Sequence, residues 1–135
     1  MSQENVELFR RALEAFNRRD LDALLEQLDP DAEWHPGVAA SLGGEATTFR
    51  GHEEVRKGLQ DLIDAFQDLH LEVSEMRDLG DRVLAMGHLR AHGTESGVEI
   101  ESPWAYLVEY ESGKATWVRA FLDPKEALEA AGLRE

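Results

Sequence analysis

The chain has 135 residues, 42% of them apolar and 31% charged, which is typical of one globular domain with its own core. It contains no cysteine, so disulfides and thiol catalysis are excluded, and no apolar run approaches the roughly 18 residues that a membrane helix needs. The net charge of −14 and the scattered basic residues argue against a nucleic-acid partner. The N-terminal segment does not resemble a secretion signal, so we expect a single cytoplasmic domain over residues 1–135.

The first part of the chain is predicted to be helical. Apolar residues at helical spacing predict a helix over residues 3–18, buried along a stripe that includes Phe9 and Phe16. Asp20 is expected to cap a second, short helix, because its acid side chain can accept hydrogen bonds from the first free amides. The proline of "DPD" at 29–31 is expected to end that helix.

A strand, a long connection and a third helix are predicted next. "AEWH" at 32–35 alternates as a strand does, and "PG" closes it. No period survives from residue 37 to residue 49, and a loop of this length is often a lid, a binding loop or a mobile connection. The third helix is predicted over residues 52–67. Gly58 lies inside it at a cost of roughly 1 kcal/mol relative to alanine, and a close helix contact would be one reason to keep it.

Four strands and a last helix are predicted to complete the chain. The strands are expected at about 70–78, 82–92, 97–110 and 115–122, and the helix at 124–131. Short turns between consecutive strands predict an antiparallel meander. The order of the elements therefore predicts an α+β fold in which helices cover one face of the sheet.

Alternation along the strands predicts which side chains face the helices. The inward residues of the 82–92 strand are small and leave room for a cavity, while Trp104 and Tyr106 point inward from the next strand. Trp117 and Phe121 point outward from the last strand. We expect this outer face to pack against a second copy in a sheet-to-sheet homodimer. The alternative is a β-bulge that exchanges the two faces.

Three residues are candidates for chemistry. Asp123 precedes Pro124 and Glu126 in the pattern of a capped helix start, and it could also be a catalytic acid if one carboxylate oxygen stays free. His35 could be a general base, because imidazole titrates near neutral pH, although alternation turns it outward. Tyr106 could donate a hydrogen bond to a ligand carbonyl, or could be an ordinary core tyrosine.

No metal or nucleotide site is predicted. His88 and His92 lie on one strand at a spacing of roughly 13 Å, which is too far apart for one ion to join them. The sequence also contains no nucleotide-binding loop, nucleophile elbow or H-E-x-x-H pair. A cofactor is therefore not expected.

Three segments carry a resemblance to a known family. "ALEAFNRRDLDALLEQLDPDAEW", "FRGHEEVRKGL" and "RAFLDPKEALEAAG" resemble the SnoaL-like, polyketide cyclase-like branch of the nuclear transport factor 2-like (NTF2-like) superfamily, and the match extends over residues 3–133. The resemblance implies a cone of curved, mostly antiparallel sheet wrapped on helices, with an apolar pocket and commonly a dimer. It implies no single activity, because the fold hosts isomerases, cyclases, hydrolases, dehydratases and non-catalytic binders.

Residues that act in two groups of this superfamily are missing from the matching positions. The ketosteroid isomerases have an aspartate base where this sequence has His35, and an oxyanion-hole tyrosine where it has Ala12. The polyketide cyclases have an aspartate on the final strand where it has Ala120, so that role is vacant unless Asp123 has taken it. The resemblance therefore implies the fold more strongly than any of these reactions.

The sequence as a whole predicts a small-molecule-binding SnoaL-like protein. Aromatic residues are expected to line the pocket for a small hydrophobic ligand: Trp34, Trp104, Phe9, Phe16 and Phe66. An enzyme of this kind would be an isomerase, cyclase or lyase in which His35 or Asp123 moves a proton and Tyr106 polarises a carbonyl oxygen. The alternative is a non-catalytic ligand-binding or dimeric scaffold protein that has lost the catalytic acid.

Overall fold

A computed structural model describes residues 2–36 and 48–133, which form four helices and six strands. The elements are α1 (Ser2–Asn17), α2 (Leu21–Glu26), β1 (Leu28–His35), β2 (Phe49–Arg50), α3 (Gly51–Ala65), β3 (His70–Asp78), β4 (Arg82–His92), β5 (Glu99–Glu111), β6 (Lys114–Phe121) and α4 (Pro124–Ala130). The strands form one curved sheet in the order β2-β1-β6-β5-β4-β3. All neighbours are antiparallel except β1 and β6, so the predicted α+β class and mostly antiparallel sheet are confirmed.

The first strand is longer than the sequence predicts. β1 begins at Leu28, so the "DPD" segment belongs to a strand and does not end the second helix, which stops at Glu26. The pairing of β1 with β6 shifts register between Leu28 and Glu33, and Pro30 lies inside this irregular stretch. A proline is tolerated there because a bulge leaves ladder positions unpaired.

The two-residue strand β2 escaped the sequence analysis. It pairs with β1, with Phe49 opposite Trp34. A loop was predicted from residue 37 to residue 49. Residues 37–47 of that segment lie outside the described residues, and Phe49 belongs to β2. Strands this short carry no readable alternation, so a pattern search cannot find them.

Two clusters of buried side chains lie on opposite faces of the sheet. The larger cluster joins α1, α2 and α3 to one face, which includes Val83 and Trp104. In the smaller cluster, residues of the opposite strand parity pack against α4: Leu84, Ala105, Leu107 and Phe121. Three helices therefore cover one face, as predicted, and the last helix folds back over the other face, which the sequence did not predict.

The outer aromatic residues are covered within one copy of the chain. Phe121 is 5% exposed, and Trp117 is partly buried against the same cluster beside α4. A register shift in the β5–β6 pairing leaves an extra residue, Thr116, in β6. β6 therefore contains a bulge, but this bulge does not exchange the two faces. Trp117 and Phe121 remain on the outer face, as alternation predicts.

Two glycines permit close contacts that any side chain would block. A Cβ atom on Gly58 would lie 2.8 Å from the Trp34 ring and 3.0 Å from the Phe49 ring. The close contact predicted at Gly58 is thus present, although it joins α3 to aromatic rings of the sheet. A Cβ atom on Gly87 would lie only 1.8 Å from the carbonyl oxygen of Glu72, beside a bulge in β3.

The C-terminal end of α1 is fixed to the start of β3. Asn17 donates to the carbonyl oxygen of Leu71 at 2.9 Å and accepts from its amide at 3.0 Å. The guanidinium of Arg19 donates to the carbonyl oxygens of Phe16, Gln67 and Leu69. These bonds hold α1 across the inner face of the sheet. In the described part of the chain, no helix is long and apolar enough to cross a membrane.

Candidate functional site

A cavity of about 100 Å³ lies between the helices and the inner face of the sheet. Its walls are mainly apolar, and every helix except α4 contributes to them. The lining residues are Phe9, Ala12, Leu13, Phe16, Leu24, Gln27, Leu28, Ala32, Glu33, Trp34, Val55, Leu59, Leu71, Tyr106, Val108, Tyr110, Ala115 and Val118.

The periods of the surrounding elements explain this lining. One wall is the apolar stripe of α1, whose members recur at helical spacing: Phe9, Ala12, Leu13 and Phe16. The opposite wall is the inward parity of β5, namely Tyr106, Val108 and Tyr110. Alanines at positions 12, 32 and 115 leave space between the larger side chains.

Three of the five aromatic residues predicted to bind a ligand line this cavity. Phe9, Phe16 and Trp34 lie in its wall, and the Trp34 ring stacks on Phe49 with ring centroids 5.3 Å apart. Trp104 and Phe66 pack in the adjacent core and are absent from the lining residues. Because core and pocket wall are continuous here, alternation alone does not separate the two roles.

Tyr106 is the candidate catalytic residue that lies at the cavity. Its ring lies between those of Phe9, at 6.2 Å, and Trp104, at 5.5 Å. Burial raises the pKa of Tyr106 to about 12, so the hydroxyl stays protonated at neutral pH. Burial likewise raises the pKa of Tyr110. Neither hydroxyl has a hydrogen-bond partner within residues 2–36 and 48–133.

His35 lies on the outer side of β1, as alternation predicts, and does not line the cavity. Its Nε2 is 3.2 Å from Glu33 Oε1, and its Nδ1 is 3.1 Å from the Thr48 hydroxyl. The imidazole is thus held at both of its ring nitrogens. Glu33 also accepts from Arg50 at 2.6 Å, and the His35 ring lies 5.4 Å from that of Trp117.

Asp123 caps α4, as the pattern of its sequence predicts. Its Oδ1 accepts from the amide of Lys125 at 2.9 Å, and Pro124 occupies the first turn of the helix. The residue is exposed and does not line the cavity. The structure therefore does not bring His35 or Asp123 to the cavity with Tyr106, and their catalytic roles remain predictions.

Sequence reasoning missed three polar or charged residues of the wall: Gln27, Glu33 and Tyr110. Tyr110 shares the inward parity of Tyr106, so its alternation offered a signal that two tyrosines face one space. Gln27 follows α2 directly, and its backbone amide donates to the Leu24 carbonyl oxygen. A residue at a helix end belongs to neither period, so no sequence pattern could have placed it in the wall.

The histidines form no metal centre in the described ranges, where no group of three His, Asp or Glu side chains is arranged to hold a metal ion. His92 is bound instead to Asp68, with 2.6 Å between Nδ1 and Oδ2. This contact raises the pKa of His92 and lowers that of Asp68. His88 is exposed on the same strand.

Comparison with known proteins identifies the family. Residues 9–118, more than half of the chain, match the model of the SnoaL-like domain. The chain therefore belongs to the SnoaL-like family, and the family predicted from the sequence is confirmed. No curated protein sequence matches the chain.

Solved structures show the same fold. An NTF2-like protein of unknown function from Burkholderia pseudomallei is 26% identical, with a TM-score of 0.80 over 93% of this chain and 95% of that chain. An NTF2-like protein from Burkholderia xenovorans is 26% identical, with a TM-score of 0.74 over 97% of both chains. TerC, crystallised with polyporic acid, is 23% identical, with a TM-score of 0.78 over 93% of this chain and 96% of that chain. The predicted NTF2-like fold is confirmed.

Proposed function

We propose that the protein binds a small hydrophobic organic molecule in the cavity between α1 and the sheet. The observation that carries the proposal is a cavity of about 100 Å³ with mainly apolar and aromatic walls, since small-molecule sites are concave and mostly apolar. Phe9 and Phe16 would contact the ligand from α1, and Trp34 would contact it from β1. The structure of TerC with polyporic acid supports binding of organic molecules by this fold.

Binding is favoured over catalysis by the groups that surround the cavity. General acid–base chemistry needs a titratable group within hydrogen-bond reach of the reacting atom. Glu33 is the only carboxylate among the described lining residues, and its oxygens already contact Arg50 and His35. Loss of the family's catalytic acid in a protein that keeps the pocket would give this arrangement.

An acid–base enzyme of the isomerase, cyclase or lyase type is the second candidate. The hydroxyl of Tyr106, which has no hydrogen-bond partner among the described residues, favours it, because a neutral donor in an apolar cavity could polarise a carbonyl oxygen. His35 or Asp123 would then have to reach the ligand to move a proton. Turnover of a carbonyl compound that His35→Ala or Asp123→Ala abolishes would establish this second function over the first.

Methyl NMR can test the binding site directly. Toluene added to protein labelled at leucine and valine methyl groups should shift the signals of Leu13, Leu59 and Val118, which line the cavity. Leu128 packs against the other face of the sheet and should not shift. Equal shifts at all four residues, or no shift at saturating toluene, would reject the cavity as a ligand site.

A homodimer through the outer face of the sheet is part of the same proposal. α4 covers the region around Phe121, while Trp117 remains partly exposed and Arg119 exposed. A second copy would cover this remaining area, with the Trp117 ring as an anchor. Sedimentation velocity should give a dimer for the natural chain and a monomer for Trp117→Asp. Arg119→Asp is a second variant with less risk to folding, and a natural chain that sediments as a monomer would reject the dimer.

A cytoplasmic location completes the proposal. It follows the expectation from the sequence, and the partner expected there is a small organic molecule rather than a nucleic acid. Fractionation of cells that produce the tagged chain should recover it with cytosolic markers. Recovery with the membranes or outside the cell would contradict the location.

A further inference from the structure

The size of the cavity limits what it can hold. Its volume of about 100 Å³ is of the same order as an engineered cavity of about 150 Å³ that stays dry and binds benzene. A single six-membered ring with one small substituent would fill this space. Fused rings would extend beyond this volume.

The charges around the cavity limit the ligand further. Among the described lining residues, Glu33 is the only charged one, and its carboxylate contacts Arg50 at 2.6 Å and His35 at 3.2 Å. A carboxylate or ammonium group that entered would lose its hydration without gaining an unpaired opposite charge. Burial of a charge under these conditions is strongly unfavourable. The lining therefore selects a neutral molecule.

The tyrosine hydroxyls supply the polar part of recognition. Tyr106 and Tyr110 both line the cavity, and neither hydroxyl is bonded to another described residue. A hydroxyl in an apolar wall with no described partner can donate to a ligand, so a ligand atom that accepts its hydrogen bond is favoured. The ring of Tyr106 is held between Phe9 and Trp104, at 6.2 and 5.5 Å. Tyr106 is therefore the hydroxyl with the more defined orientation.

We propose that the ligand is a neutral, single-ring molecule with one accessible acceptor oxygen, of the class of cyclic ketones and phenols, and that this oxygen accepts a hydrogen bond from the Tyr106 hydroxyl. The inference rests on the proposed function, because it takes the cavity as the binding site. It adds an upper limit on size, a rejection of charged molecules and a named donor. The apolar walls contribute affinity, and Tyr106 contributes selectivity.

Three ligands of similar size separate these statements: cyclohexanone, methylcyclohexane and cyclohexanecarboxylate. Their dissociation constants would be measured by calorimetry at pH 7 for the natural chain and for Tyr106→Phe and Tyr110→Phe. One net hydrogen bond corresponds to about a fivefold to tenfold change in affinity. We expect Tyr106→Phe to weaken the binding of cyclohexanone by about that factor and the binding of methylcyclohexane by less than about twofold. Tyr110→Phe should weaken cyclohexanone binding less than Tyr106→Phe does, and the carboxylate should not bind measurably.

A spectroscopic measurement covers the case in which Tyr106→Phe fails to fold. The sequence contains two tyrosines, so 3-fluorotyrosine labelling gives two ¹⁹F signals. Cyclohexanone should shift the Tyr106 signal more than methylcyclohexane does. Assignment of the two signals needs only Tyr110→Phe.

The outcomes distinguish this inference from the proposed function. If both neutral ligands bind and Tyr106→Phe weakens them equally, the hydrogen bond is rejected while the binding site stands. If cyclohexanecarboxylate binds as tightly as cyclohexanone, the selection of neutral molecules is rejected. If toluene shifts the cavity methyl signals and none of the three ligands binds, this inference alone fails. If toluene also gives no shift, both fail.

Discussion

Asp123 stabilises a helix end, and this role can be tested separately from any role in ligand binding. Its carboxylate accepts the Lys125 amide at 2.9 Å, and Asp20 caps α2 in the same way through the Ala23 amide at 3.1 Å. Asp123→Ala and Asp20→Ala should each lower the free energy of unfolding by about 1 kcal/mol in urea titrations. Toluene affinity should stay unchanged in both. Weaker binding in Asp123→Ala alone would show that Asp123 acts beyond its cap.

Gly58 tests how tightly α3 lies on the sheet. Alanine there is favoured by helix propensity, yet its Cβ would lie 2.8 Å from the Trp34 ring and 3.0 Å from the Phe49 ring. Both rings are stacked and Trp34 is buried, so we expect net destabilisation of about 1 kcal/mol. Urea titration would measure the loss, and a change in the tryptophan fluorescence, to which Trp104 and Trp117 also contribute, would report the displaced Trp34 ring.

Lys57→Ala is the matched control for this substitution. Lys57 is exposed at the neighbouring position of α3. Its replacement should leave both the unfolding free energy and the fluorescence nearly unchanged. A Gly58→Ala chain that is more stable than the natural one would show that the rings move at no cost and that helix propensity prevails.

At the candidate site, the sequence predicted a side chain's direction correctly where a single local pattern determines that direction. The outward position of His35, the inward position of Tyr106 and the cap at Asp123 all follow from local pattern and are observed. Trp104 was predicted for the pocket and lies in the core beside it. Trp104 and Tyr106 point to the same face of β5, yet only Tyr106 lines the cavity. The other elements that pack around each side chain decide this, and no local pattern in the sequence reveals that packing.

At the scale of elements, short-range signals predicted most boundaries, and long-range pairing produced the exceptions. β1 extends back to Leu28 because the turn after α2 is joined to β6, where the Ala115 amide donates to the Gln27 carbonyl oxygen. α4 was predicted in sequence, but its position on the outer face was not. That position depends on Leu84, Leu107 and Phe121, which come from three different strands. Such contacts are invisible to alternation along one strand.

The junction of α3, β3 and β4 should show a pH-dependent stability. Asp68 accepts from the His92 backbone amide and ring Nδ1, both at 2.6 Å, and Glu99 lies 3.8 Å from Nε2. The hydrogen bond from Asp68 and its charge raise the pKa of His92 above 6.5, and the contact with His92 lowers the pKa of Asp68 below 3.8. The junction is thus held by a charged pair within a defined pH range.

The sign of the effect follows from linkage. A raised histidine pKa contributes stability below pH 6.5 and loses it as pH rises through the folded value. A lowered aspartate pKa contributes above pH 3.8 and loses it as pH falls through the folded value. His92→Ala should therefore lower the unfolding free energy more at about pH 5.5 than at about pH 9. The difference should be modest, because both groups are exposed and salt screens them.

Urea titrations at the two pH values and low salt would measure this difference, with His88→Ala as the control. His88 is exposed on the same strand, and its replacement should give no larger loss at the lower pH. An NMR titration should place the pKa of His92 above 6.5. A pKa of His92 at or below 6.5 would contradict the raised value and the predicted pH dependence.

At the scale of the whole molecule, the sheet separates two kinds of packing. α4 closes the outer cluster, which includes fully buried Leu84 and Ala105. On the inner face three helices meet a curved sheet, and small residues in their walls leave the cavity unfilled. An apolar void forgoes dispersion contacts and so lowers stability. Keeping the void therefore costs some stability, which a ligand of the proposed kind would offset when bound.

Filling the cavity should therefore separate stability from binding. Ala12 lines the cavity from the middle of α1, and leucine is nearly as favourable as alanine in a helix. Ala12→Leu should keep the unfolding free energy or raise it by up to about 1 kcal/mol, because the added methyl groups occupy empty apolar space. The same variant should weaken toluene and cyclohexanone binding by at least about tenfold, measured by calorimetry. Ala130→Leu makes the same change at an exposed position of α4 and should affect neither quantity. A destabilised Ala12→Leu chain would mean that the walls have no spare room, and full binding would place the ligand outside the cavity.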